Sequence, residues 1–146
     1  MKTELLAAAV LIGLGALCAA GEIKINTTEV DGRLVDDINL PFVNDPALPG
    51  RWDSVDFVRD PADFKPGVKL FEGDLYLKKL VFLEGGRTAA PWWTWTKGVV
   101  MHSGDRTAAR YIIKKLNGAT YMFFEWKSGD YSFKHRKPEY YVLKKS

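Results

Sequence analysis

Between residues 92 and 127 the chain reads WWTWTKGVVMHSGDRTAARYIIKKLNGATYMFFEWK. Runs rich in aromatic and β-branched residues are cut by His102-Ser103-Gly104-Asp105 and by Asn117-Gly118. Such runs suit a pleated, half-buried surface, and Asn-Gly tolerates the positive φ angles of a tight hairpin. This stretch predicts three consecutive antiparallel strands that carry four of the five tryptophans.

The flanking sequence extends that pattern. Residues 51–59 (RWDSVDFVR) read as a strand, but Trp52 and the Val55/Phe57 pair fall on opposite parities. A bulge near Ser54 reconciles them. Asp60 then caps a single helical turn with Pro61 at its first position. Residues 73–86 (GDLYLKKLVFLEGG) predict a long strand whose apolar parity swaps across Lys78-Lys79, as in a bent, strongly curled sheet. Gly129-Asp130 turns into residues 131–134, and Pro138 opens a last strand over 139–145. With seven or eight short strands and no long amphipathic helix, the fold class is all-β, an antiparallel up-and-down barrel of about eight strands.

The first 20 residues stand apart. A short n-region precedes an apolar run over 5–20 that ends Cys18-Ala19-Ala20, the form of a secretory signal. Sixteen residues are short for a bilayer span, and no later segment is apolar enough, so no transmembrane segment is expected after cleavage. The expected location is secreted or periplasmic. Cys18 also raises a lipoprotein reading, but Gly15-Ala16-Leu17 fits a lipobox poorly. Cleavage after Ala20 leaves a chain without cysteine, and so without disulfides or thiolate chemistry. Residues 21–49 are acidic and interrupted by Asp31-Gly32, Pro41, Pro46 and Pro49-Gly50. They predict an extended arm lying over a barrel formed by 50–146.

Charge is lopsided. Residues 21–74 hold six basic and twelve acidic side chains, whereas 75–146 hold fourteen basic and five acidic. Basic residues interleaved with aromatics invite a nucleic-acid reading, but no nucleic-acid motif accompanies them. Lysines on solvent faces and strand edges, where they oppose aggregation, explain the excess, and no nucleic-acid partner is expected.

Sites for chemistry are few. His102 and His135 sit beside turn residues without zinc-motif spacing, and neither a Gly-x-Ser-x-Gly elbow nor a phosphate-cradling loop is present. Neither an enzyme nor a cofactor is implied. An alternative pairing of Glu125 with Asp56 or Asp130 as catalytic carboxylates would require a shared cleft. Charged residues inside apolar strands are more informative. Alternate residues of a barrel strand face the interior. If Tyr121, Phe123 and Glu125 line it, Glu125 is a buried carboxylate and Arg110 on the neighbouring strand is its natural partner. Under the opposite parity, Met122, Phe124 and Trp126 form the core and Glu125 faces water. Both faces carry apolar residues, so parity stays open.

Gly50-Arg51-Trp52 before an all-β chain resembles the Gly-x-Trp opening of lipocalins and related calycin barrels. That resemblance implies a tryptophan closing one barrel end against a late basic residue, for which Lys134, Arg136 and Lys144 are candidates. Across residues 40–145, the runs PFVNDP, GRWDSVDFV, TWTKG, YMFFEWKSGDY and KPEYYVLKK are similar to a small bacterial domain. That domain occurs alone or attached to beta-lactamase-regulator-type sensor proteins. The resemblance implies a lipocalin-like extracytoplasmic module and carries over no catalytic residue. The expectation is a non-catalytic barrel taking a small, partly apolar or amphipathic ligand in its mouth, lined by Trp52, Trp95, Arg110, Tyr121, Phe123 and Glu125. The alternative is a packed-core sensory or envelope module that binds a protein or anionic polymer through its basic face.

Overall fold

A computed structural model describes residues 23–146, apart from the side chain of Asp130. The signal-like segment and Cys18 lie outside the described residues. A hairpin of β1 (Thr27–Val30) and β2 (Arg33–Asp36), turning at Asp31-Gly32, precedes the main sheet. That sheet contains β3 (Gly50–Val58), β4 (Lys79–Phe82), β5 (Trp93–Thr96), β6 (Val99–His102), β7 (Thr107–Leu116), β8 (Ala119–Trp126) and β9 (Glu139–Lys145). Every pairing is antiparallel, in the order β4-β3-β9-β8-β7-β6-β5.

The two edges, β4 and β5, are stitched by Arg87-Thr88. Thr88 bridges to Phe82 and Arg87 to Thr94, so the seven strands form a nearly closed up-and-down barrel. The seam uses backbone groups that an open edge would leave to pair with another chain.

Local chemistry accounts for most of the turns. Asn117 and Gly118, at φ 49° and 77°, join β7 to β8 with Leu116 facing Ala119. The β3–β9 register shifts between Ser54 and Asp56, the irregularity that the parity of Trp52 and Phe57 requires. The Asp60 carboxylate accepts from the Ala62 N–H, with Pro61 opening a 3₁₀ turn over Pro61–Asp63.

Three expected elements differ. The first strand of the meander is two: Lys97-Gly98 turns the chain between β5 and β6, with Gly98 at φ 84°. Of the long strand expected over 73–86, only Lys79–Phe82 belongs to the sheet. Upstream, Leu75 and Leu77 pack on the core, and the Leu77 N–H donates to the Tyr141 hydroxyl instead of a neighbouring strand. Residues 130–134 form a one-turn helix, α1 (Asp130–Lys134).

Parity resolves clearly. Trp52, Leu80, Phe82, Trp95, Val100, Ala109, Tyr111, Met122, Phe124, Tyr141 and Leu143 fill the interior. Their alternates are also covered. Val99, Met101 and Ala108 lie under Ile25, Ile38 and Leu40 of the N-terminal arm. Tyr121, Phe123, Val142 and Val58 lie with Phe64 of the turn after β3. Two satellite cores outside the barrel explain why β8 is apolar on both faces. The arm is bound to the barrel by specific bonds. Val43 N–H donates to Thr96 Oγ1 at 2.7 Å, Lys97 N–H to Val43 O at 2.8 Å, and Thr96 Oγ1–H to Pro41 O at 2.8 Å.

Candidate functional site: the open end of the barrel

The barrel has one sealed end. Leu48 and Trp52 are completely buried there, and the Trp52 indole N–H donates to Leu48 O at 2.8 Å. Lys145 Nζ stands 5.4 Å from the centre of the Trp52 ring and donates to Ala47 O at 2.9 Å. The basic counterpart of Trp52 is thus Lys145, not Lys134, Arg136 or Lys144. The register decides it: Lys145 is the direct cross-strand partner of Trp52, while Lys144 pairs with Asp53 on the other parity. Lys134 and Arg136 precede β9 and lie at the far end.

That far end is built from aromatic rings. Trp126 lies 5.0 Å from Tyr141, 6.1 Å from Tyr76 and, nearly parallel, 6.4 Å from Trp93. Phe57 meets Tyr141 edge-on at 4.7 Å and Phe71 at 5.6 Å. Tyr141 belongs to the core and Phe57, Trp93 and Trp126 pack against it partly buried, while Tyr76, 82% exposed, lies outermost. A cleft of about 390 Å³ lies beside them, lined by Phe57, Trp126, Ser128, Tyr131, Arg136, Lys137, Pro138 and Glu139. A second, of about 380 Å³, shares Phe57 and Glu139 and continues along Arg59, Leu70, Phe71 and Glu72.

Two carboxylates organise the polar side of this end. Asp36, 1% exposed, accepts from Thr27 Oγ1 at 2.6 Å, Ala108 N at 2.8 Å, Lys127 Nζ at 3.1 Å and the Tyr131 hydroxyl at 3.3 Å. Lys127 also donates to Ala108 O and lies over the Tyr131 ring, which fixes that cleft wall. Asp105 accepts from Thr107 Oγ1 at 2.8 Å and Ser128 Oγ at 2.7 Å, and contacts His102 Nδ1 at 2.9 Å. Burial alone would raise the Asp105 carboxyl, but the donors Ser128, Thr107 and His102, with the charge of His102, hold it below its ordinary value. The His102 ring rests 4.3 Å from Trp93. Tyr131 and Ser128 have therefore committed their hydroxyls to carboxylates, and Glu139 faces Arg59 at 3.6 Å.

The six residues expected to share one lining fall in separate places. Trp52 and Trp95 are interior, and the Trp95 indole N–H donates to Leu83 O and Arg87 O. Both indoles are structural parts of the packed core. Tyr121, Phe123, Arg110 and Glu125 occupy the opposite parity, because Met122 and Phe124 face inward. Arg110, Phe123 and Glu125 do converge, on the outside, around a cleft of about 320 Å³ with Ile112 and Tyr140. The link between Arg110 and Glu125 runs through the backbone: Glu125 Oε1 accepts from the Arg110 N–H at 2.7 Å, and Arg110 Nη2 donates to Ile23 O at 2.7 Å. Burial, then the charges of Glu125 and Asp60, raises the Tyr140 phenol. Tyr121 lines a smaller cleft with Phe64, Val68, Lys69 and Lys144.

Asp56 is fully buried and accepts from the backbone N–H groups of Phe57, Leu70 and Phe71 at 2.8–2.9 Å. It shares no described cleft with Glu125, and the Asp130 side chain lies outside the described residues. Among the described residues no group of three His, Cys, Asp or Glu side chains gathers as metal ligands, and no helix is long and apolar enough to cross a membrane.

Tyr131 and Lys137 were not singled out from sequence, and Phe57, Trp93 and Trp126, though noted there as strand aromatics, were not among the six lining residues. For the strand aromatics the sequence signal is parity: Trp126 shares the parity of Met122 and Phe124, and Trp93 that of Trp95. Chemically, this end offers aromatic faces beside the exposed cations Arg136 and Lys137. Scanned against protein-family models, curated proteins and solved structures, the chain finds no match.

Proposed function

We propose that this chain is an exported, non-catalytic binding module that holds a small, partly apolar ligand against the open end of its barrel. The observation that carries the reading is the cleft of about 390 Å³ whose lining combines Phe57 and Trp126 with Arg136 and Lys137. Small-molecule sites run from roughly 300 to 1,000 Å³ and combine apolar walls with a few polar groups. The packed interior argues against a ligand inside the barrel, so the reading places it at the rim. The Trp52–Lys145 contact supports a calycin-type barrel, and the segment over residues 1–20 supports export.

Tryptophan emission during titration with lipids, sugars and cell-wall fragments tests this reading. One class should perturb the emission saturably, and Trp126→Ala should abolish the response. No response to any class, or a response that Trp126→Ala leaves intact, counts against the rim site.

The packed interior also favours a second reading: an envelope interaction module that recognises a protein or anionic polymer through its basic surface. Its partner would be recovered from envelope extracts in a salt-sensitive manner. Retention indifferent to salt excludes the electrostatic form.

A further inference from the structure

We infer that the loop over residues 65–71, with the cationic stretch beside it, is a docking surface for an anionic lipid bilayer. This inference does not depend on a ligand in the rim cleft. The loop reads KPGVKLF, and Lys65, Val68, Lys69, Leu70 and Phe71 are all exposed, Val68 and Leu70 by about half. Side chains of this size are ordinarily turned inward when a loop can collapse.

Here collapse is prevented. Lys65-Pro66-Gly67-Val68 forms a tight turn, with Val68 N–H donating to Lys65 O at 3.1 Å and Gly67 at φ 83°. The N–H groups of Leu70 and Phe71 are taken by Asp56, a fully buried carboxylate whose described hydrogen bonds all come from backbone N–H groups. The backbone is anchored inward while Val68 and Leu70 are held outward.

Charge selects the occupant. The 65–71 loop has two lysines and no acid, although Glu72 and Asp74 follow it. Two clefts share Phe57 and Glu139, one lined also by Leu70 and Phe71 and the other by Arg136 and Lys137, and Glu139 is already opposed by Arg59. Phe133, 66% exposed, and Lys134 end the helix just before that cationic pair. An anionic polymer would need only the cations. Protruding aliphatic side chains flanked by lysines match a bilayer, where apolar groups enter the acyl boundary and ammonium groups meet the headgroups.

The test is cosedimentation of the folded protein with phosphatidylcholine vesicles, with and without phosphatidylglycerol. Partitioning to the anionic vesicles is expected. V68S/L70S should weaken it about tenfold, from the loss of inserted aliphatic surface. K65E/K137E should weaken it comparably and remove its salt sensitivity. Circular dichroism and tryptophan emission confirm that each variant keeps its fold. Failure of the wild-type protein to sediment with anionic vesicles overturns the inference. So does a V68S/L70S variant that binds like wild type while K65E/K137E does not, the pattern of a polyanion site.

Discussion

The two ends of the barrel use the same residue types to opposite effect. At the sealed end, Trp52 is wholly buried, its indole N–H is bonded to Leu48 O, and its face is covered by Lys145. At the other end, Trp126 meets Tyr76 at a tilt and stacks with Trp93, and parts of these rings meet solvent. A tryptophan whose polar handle is satisfied by backbone and whose rim is packed serves stability. A partly buried one near exposed cations keeps some of its ring face in solvent. The contrast teaches that aromatic content by itself distinguishes neither role.

The sharpest way to break this comparison is truncation at each end. Trp52→Ala should cost about 3–5 kcal/mol in urea unfolding, since it opens a cavity and strips Leu48 O of its donor. Asp56→Ala should cost about 2–3 kcal/mol by orphaning three N–H groups. It should also speed hydrogen exchange at Leu70 and Phe71 more than anywhere in β7 or β8. Trp126→Ala should cost only about 1–2 kcal/mol, because its environment is already part solvent. If Trp126→Ala proves as damaging as Trp52→Ala, the two ends are alike and the open end is core.

A pH experiment addresses the same end through Asp105. Its carboxyl is lowered in the fold, so the stability it contributes is present above the unfolded carboxylate value and is lost as pH falls through the lower folded value. Asp105→Asn should therefore lower stability at neutral and mildly alkaline pH, where the carboxylate is charged, and flatten the acid limb of a stability–pH curve, so that variant and wild type converge in acid. An unchanged acid limb would mean that the bonds from Ser128, Thr107 and His102 contribute nothing to folding. The smallest effect concerns Ser54. Its hydroxyl is buried without a hydrogen-bond partner among the described residues, at the register shift in β3. Ser54→Ala should be neutral or add up to about 1 kcal/mol in the same urea assay.

The bulge, the Asp60 cap and the Asn117-Gly118 hairpin were legible because each is set by residues within a few positions of one another. Lys97-Gly98 was equally local but lay inside a run of aromatic and β-branched residues that reads as one strand. The upper half of the 73–86 segment misled for a different reason. Leu75 and Leu77 have strand chemistry, yet the Leu77 N–H finds the Tyr141 hydroxyl, 64 residues away in sequence. No window along the chain contains that partner.

The candidate site shows the same division more severely. Arg110 and Glu125 stand out as charges within apolar strands, and they are indeed neighbours in space. Their face was undecidable, because both parities of β8 are apolar: one packs the interior, the other packs beneath Phe64. Choosing between them requires knowing that Phe64 and the N-terminal arm return to cover the outside. The late lysine on Trp52 was a matter of one residue in register, and a one-residue step moves a side chain to the opposite face.

Sequence alone determined that this chain is an all-β barrel opening at Gly50-Arg51-Trp52, because strand alternation and turn residues act over short distances. Tertiary structure alone decided which tryptophans seal the barrel and which rim its mouth. Burial of a strand face depends on what the rest of the chain lays over it, and that information is spread from Ile25 to Lys145.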